Sequence, residues 1–161
     1  MKRRDFALTV PAAAARARLP ALAQSRKDSI VMGMTLEPPG LDPTAGAASA
    51  IAEVVQYNIL ETLTKIQSDG KVTPLLAERW EVSPDLRTTT FYLRKGVTFS
   101  NGEPFNAAAV KFSFERATGE KSTNKDKRTF AAMDSVSAVD EHTVVIINKE
   151  PDPDFLFYMG Q

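Results

Sequence analysis

The sequence predicts a mixed α/β fold, and three stretches carry that prediction. Thr88–Leu93 (TTTFYL) is rich in β-branched and aromatic residues. It follows a Ser83-Pro84-Asp85 turn in which Pro84 fixes φ and Asp85 can bond its own backbone, so a strand hairpin is expected. Behind Asn106, a residue suited to capping, Ala107, Val110, Phe114 and Ala117 recur at i, i+3, i+7 and i+10. That spacing places them on one face of an amphipathic helix. Ser135–Asp140 and Thr143–Asn148 form two further strand-like runs joined through Asp140-Glu141-His142, a second hairpin.

The chain has 161 residues, 43% apolar and 25% charged, the composition of a globular domain with a core. Cysteine is absent, which excludes disulfides, a thiol nucleophile and a Cys-ligated metal. Residues 1–23 read as an export signal: a basic start, a small and apolar middle, and Ala21-Leu22-Ala23 as a small-x-small cleavage site. Arg3 and Arg4, with the apolar Phe6 two places on, also resemble a twin-arginine signal, against which stands an ordinary basic leader; Arg16 and Arg18 interrupt the apolar stretch. Cleavage after Ala23 removes five basic residues and one acid, turning a balanced 20 and 20 into a net charge of minus four. A mildly acidic chain gives no reason to expect nucleic-acid binding. No later stretch is apolar for about eighteen residues, so no membrane-spanning helix is expected.

In chain order, Ser29–Leu36 alternates Ile30, Met32, Met34 and Leu36, the period-two pattern of a first strand. Pro38, Pro39, Gly40, Pro43 and Gly46 then rule out helix and strand over residues 37–48 and predict a rigid loop. Ser49 is a candidate cap for a helix whose face is Ile51, Val54, Val55 and Ile59. Leu63–Gln67, the turn Ser68-Asp69-Gly70 and Val72 read as a strand and tight turn. A short helical turn from Pro74 precedes the first hairpin, and a turn at Asn101-Gly102 precedes the helix at Asn106. Thr118–Thr129 has no apolar side chain and reads as a solvated loop; a nucleic-acid patch would need interleaved aromatics, which it lacks. Val144–Ile147 is apolar on both faces, the pattern of a fully buried strand. Asp154 is placed to cap a last turn through Phe155, Leu156 and Tyr158, whose apolar face has nothing evident to cover it.

The order Ala77, Trp80, Ser83, Asp85, then Thr90–Val97 with Phe99, then Asn101–Phe105, then a helix ending Phe112-Ser113-Phe114-Glu115-Arg116 resembles the extracellular solute-binding proteins of peptide/nickel-type ABC importers, family 5. The run Tyr57–Thr64 and the Gly70–Pro74 link resemble it too. The chain departs at Leu86-Arg87, where the family usually has Gly-Lys-like residues, and at Ala107–Ala109, where acids are usual. The resemblance implies a type II periplasmic-binding-protein-like lobe, with residues 24–161 as its N-terminal portion, truncated before the second lobe. Members are about three times as long, and their two lobes close by a hinge on a peptide, nickel complex, opine or sugar before docking on ABC permease subunits of the inner membrane. Without an N-terminal Cys to carry a lipid, it implies a free, monomeric periplasmic protein. In the family a loop after the first strand borders the ligand cleft, which makes Glu37, Leu41 and Thr44 the candidate ligand-binding residues; alternatively Pro38–Pro43 only terminates the strand.

Two other readings stand beside this one. The chain could be a non-binding remnant of such a protein, prone to aggregate through open sheet edges. A hydrolase is disfavoured by the residues themselves. His142, the sole histidine, falls in a hairpin turn without a second histidine or cysteine to complete a metal set. Ser135 and Asp140 could join it in a triad only on paper, since no nucleophile-elbow glycines surround any serine. Gly96 and Gly102 are isolated and form no phosphate loop. Glu37 and Asp42 could pair as in a glycosidase, but loop acids and cap or salt-bridge roles are commoner. Trp80 and the phenylalanines fall where core is the default. No catalytic residue, metal or cofactor is therefore expected.

Overall fold

The computed structural model describes residue 31 and residues 33–160. The elements below all belong to one compact unit, Met34–Gln161. The expected export signal, with Arg3, Arg4, Ala21 and Ala23, lies outside the described residues, as do Ile30 and Met32 of the expected first strand.

The elements are α1 (Ser49–Val55), β1 (Thr64–Ile66), β2 (Val72–Pro74), β3 (Ala77–Val82), β4 (Thr88–Leu93), α2 (Ala107–Thr118), α3 (Lys127–Ala131), β5 (Met133–Asp140), β6 (Thr143–Asn148) and α4 (Phe155–Tyr158). β1 and β2 form a two-stranded ribbon, and the other four strands an antiparallel sheet in the order β3-β4-β6-β5. Mixed α/β is thus the observed class.

The sheet's inner face follows from its register. Phe91 pairs with Trp80 on one side and Val144 on the other, and Thr89 with Ile146, which pairs in turn with Val136. Because side chains alternate along a strand, these residues share a face. Phe91, Val144 and Ile146 are each 0% exposed. The helix α2 covers this face across β5 and β6. Its buried residues are Ala107, Val110, Phe114 and Ala117, the four that the sequence periodicity selects. Asn106 caps it as expected, its side-chain oxygen accepting from the Ala109 N–H at 3.0 Å. Leu63, Phe105, Met133, Phe155 and Met159 complete the core, with Trp80 packed against its edge.

Several local expectations give way to tertiary structure. Residues 33–36 form no strand, and Met34 and Leu36 are exposed. Ser49 is the first residue of α1 and Ala48 its cap, without a side-chain bond. Ile51 and Val55 are buried as predicted, but the helix stops before Tyr57, which takes φ +63°, and Ile59 is left 64% exposed. Pro74 ends β2 and bends straight into β3 with no helical turn. The tail of the solvated loop winds into α3, where Phe130 packs edge-on to Phe114 with ring centroids 5.6 Å apart. On β6 only Val144, Ile146 and Asn148 are buried; Val145 and Ile147 face the sheet's other side, where no described helix covers them fully. The last turn is present without a cap from the Asp154 side chain, and its apolar face is covered: Phe155 and Met159 are buried, and Phe155 lies 6.4 Å from Phe91. Register shifts interrupt both edge strands, between Ala77 and Arg79 and twice in β5. Such bulges make an edge a poor template for further strands.

The β3-β4 turn explains one departure from the family pattern. Arg87 N–H donates to Asp85 Oδ1 at 3.1 Å and Thr88 N–H to Ser83 Oγ at 2.9 Å, which forces Leu86 into the left-handed region at φ +56°. A residue with a Cβ there costs about 1–2 kcal/mol relative to glycine in conformational strain. Leu86 is also 40% exposed and contributes little packing. Leu86→Gly is therefore expected to raise stability by about 1 kcal/mol, read as a higher urea midpoint at unchanged slope.

Candidate functional site

The loop before α1 is built on Asp42. The Thr44 backbone N–H and hydroxyl both donate to Asp42 Oδ1, at 2.9 and 2.7 Å, and Gly46 N–H donates to the Asp42 carbonyl at 3.2 Å. Gly46 is required by closeness, since a Cβ there would lie 2.4 Å from Cδ1 of the buried Ile51. The loop is thereby seated on α1. On its other side, Lys125 N–H donates to the Thr44 carbonyl at 2.7 Å and ties the loop to residues 119–126.

Between these segments runs a groove of about 350 Å³. One wall is Pro43 to Ser49; the floor is Ala52, Gln56, Leu60 and Thr62; the other wall is Asn124 to Asp126. Thr44 and Asn124 also line an adjoining hollow of about 660 Å³, with Ser113, Arg116 and Lys121 around it. The groove's lining mixes small apolar residues, Ala47, Ala48 and Ala52 among them, with amide, hydroxyl and charged groups, and the adjoining hollow is mostly polar. The groove offers Gln56 and Asn124 carboxamides, which both donate and accept.

Of the three candidate residues, Thr44 lines both hollows. Glu37 and Leu41 are exposed on the approach to the loop and line neither. Gln56, Asn124 and Lys125 were not singled out by sequence. The only signal for Asn124 and Lys125 was the polar run after α2, which carries no mark of what it faces, and Gln56 at the end of α1 had none.

The Asp42 carboxyl is held below its ordinary value of 3.8, first by the Thr44 hydroxyl, then by the Thr44 N–H, with a smaller contribution from the Arg116 charge. A depressed native value means that the ionised form supports the loop above the unfolded value and loses that support as pH falls through the native one. The Thr44 and Gly46 amides are accordingly expected to hold steady from pH 8 to pH 5 and to lose exchange protection below 3.8. Asp42→Asn should flatten that dependence.

The other chemistry weighed from sequence finds these positions. His142 is a turn residue whose N–H donates to Asp140 Oδ1 at 2.7 Å and whose carbonyl accepts from Leu93 N–H at 2.8 Å. Ser135 and Asp140 lie on the same strand, β5. Asp42 is engaged by Thr44, and Glu37 is exposed. Among the described residues no group of three or more His, Cys, Asp or Glu side chains is placed to hold a metal ion. Nor is any described helix long and apolar enough to cross a membrane.

Residues 71–161 match the family model described as bacterial extracellular solute-binding proteins, family 5 Middle. The chain belongs to this family. It is 40% identical over 92 residues to the periplasmic oligopeptide-binding protein OppA of Haemophilus influenzae, an alignment covering 56% of this chain and 16% of that protein. To the glutathione-binding protein GsiB of Pectobacterium atrosepticum it is 34% identical over 126 residues, 78% of this chain and 24% of the relative. Among solved structures, H. influenzae OppA in complex with RPPGFSPFR superposes with a TM-score of 0.70 at 28% identity, covering 77% of this chain and 27% of that one. NikZ of Campylobacter jejuni in complex with Ni(L-His) gives 0.68 at 25% identity, covering 78% and 25%. The chain thus spans about a sixth to a quarter of the length of the family-5 proteins it matches. Its fold is that of part of a lobe of these solute-binding proteins.

Proposed function

We propose that the chain supplies part of the solute-binding lobe of a periplasmic binding protein serving an ABC importer, with short peptides or related small solutes as ligands. The observation that carries this reading is the groove between residues 43–49 and 124–126, in a chain whose relatives are named for binding oligopeptides and glutathione. Carboxamides and hydroxyls on a small apolar floor suit a ligand presenting its own amide groups, since they match backbone N–H and C=O without reading side chains. Thr44 is the ligand-contacting residue of the three candidates; Glu37 and Leu41 lie on the strand of loop that leads to it. The role is binding without catalysis, and the docking partners are ABC permease subunits of the inner membrane, met by a monomeric protein. Residues 1–23 act in this reading as a cleaved, twin-arginine-like export signal, with 24–161 the N-terminal portion of the binding domain.

A thermal-shift series tests it with a pool of short peptides, glutathione and Ni(II)-histidine as separate additives. A ligand at about ten times its Kd stabilises the folded chain by about 1.4 kcal/mol, a rise of several degrees in Tm. The expected result is a saturable rise with the peptide pool. A flat response to all three at millimolar concentration would contradict the reading.

A further inference from the structure

The groove floor is fastened to a segment about a hundred residues away. Tyr57, at the end of α1, has its backbone in the left-handed region, which a residue with a Cβ rarely adopts unless its surroundings impose it. That conformation is held within the turn by Tyr57 N–H donating to the Leu60 carbonyl at 2.8 Å and Leu60 N–H to the Val55 carbonyl at 2.9 Å. The phenol hydroxyl donates to the Gly160 carbonyl and accepts from Ile66 N–H at 3.2 Å, while the Lys65 ammonium sits 4.9 Å from the ring centroid. The neighbouring Gln56 Nε2 donates to the same Gly160 carbonyl at 2.9 Å. The fully buried Thr64 adds a third tie, its hydroxyl donating to the Leu156 carbonyl at 3.0 Å. A Cβ on Gly160 would stand 3.0 Å from Ile66 Cγ1 and 3.1 Å from Thr64 Oγ1, so the approach depends on glycine.

Two of the residues in this arrangement, Gln56 and Leu60, are also floor residues of the groove. We propose that Tyr57 and Gly160 are positioning residues of the groove, forming a latch that couples residues 155–160 to the Gln56 carboxamide. With the latch closed, the Gln56 amide is committed to Gly160; with it open, the amide is free to turn to a bound amide-bearing solute and Tyr57 to leave its strained backbone conformation. Coupling between distant sites requires an element with two such arrangements, and the Gln56 side chain is that element. The inference rests on the groove being the binding surface. Its test is read without ligand, so that the two ideas fail separately.

The measurement is amide hydrogen exchange with side-chain amide NMR on the 161-residue chain and its Tyr57→Phe and Gly160→Ala variants. Tyr57→Phe keeps the ring and removes the hydroxyl. The expected result is exchange about tenfold faster at Ile66 and Leu60, together with a shift of the Gln56 NH₂ resonances, while the β4 and β6 amides stay protected. Gly160→Ala, which pushes the segment off by bulk, should give the same signature at Gln56 and Leu60. Changes confined to Ile66 and residues 155–160 would overturn the proposal, because the latch would then not reach the groove. Uniform acceleration that includes β4 and β6 in Tyr57→Phe would also overturn it, since the hydroxyl would then serve only general stability.

Discussion

Phe91→Ala is expected to remove about 3–5 kcal/mol of stability, the largest single effect in the molecule. Phe91 lies on the central strand β4, is 0% exposed, and touches structure on every side: Trp80 and Val144 across the ladders, and the ring of Phe155 at 6.4 Å. Truncation removes the transfer free energy of the ring and leaves a cavity that a sheet fixed by two ladders cannot collapse to fill. Domains of this size are stable by only about 5–15 kcal/mol. The variant should therefore unfold at a far lower urea concentration, with Trp80 fluorescence as the probe because Trp80 is the direct ladder partner of Phe91. A loss under 1 kcal/mol would mean that the sheet's inner face is not the core.

Phe114→Ala comes second, at about 3 kcal/mol, with a consequence for the groove. Phe114 is 8% exposed and packs edge-on to Phe130 of α3, so it holds α3 and the preceding residues 119–126 against α2. Those residues supply Asn124 and Lys125 to the groove. The Lys125 amide, bonded to Thr44, should lose exchange protection at lower denaturant than the β4 and β6 amides, because the loop is a less stable unit than the sheet. Phe112, two residues earlier on the same helix, is 65% exposed. Phe112→Ala should stay within about 0.5 kcal/mol of the parent and leave Lys125 protected. Equal losses from the two variants would show that α2 buries a different face.

How much of this was legible in the sequence depends on the range of the interactions involved. The buried face of α2 was readable residue by residue, because the 3.6-residue period and the Asn106 cap are local. The two hairpins were readable from β-branched runs and turn chemistry. α1 was read four residues too far, to include Ile59, because the left-handed turn at Tyr57 that follows its end at Val55 has no glycine to announce it. The described end of the expected first strand, residues 33–36, forms none, since alternation marks a candidate but only a partner makes a strand. Val145 and Ile147 misled because an apolar residue on a strand's second face does not say whether anything covers it. Leu86 was legible only as a departure from the family's usual residues; the left-handed backbone there is set by turn hydrogen bonds that residue type does not announce. At the candidate site, the sequence pointed to the proline-rich loop and Thr44, which lines the groove, but gave no sign of the opposite wall at Asn124 and Lys125. Eighty residues of sequence separate Thr44 from Lys125, and the bond between them joins backbone atoms, which leave no mark in residue type.

The central claim is that the groove between the loop at Thr44 and the segment at Asn124–Lys125 is a solute-binding surface. The most direct test is two-dimensional amide NMR of the chain titrated with a mixed pool of short peptides. The account predicts dispersed resonances and saturable shifts concentrated at Thr44, Gly46, Asn124, Lys125 and the Gln56 side-chain amide, with the β5-β6 hairpin around His142 unmoved. Resonances that ignore the pool at all concentrations, or shifts centred on the hairpin and not on the groove, would contradict it.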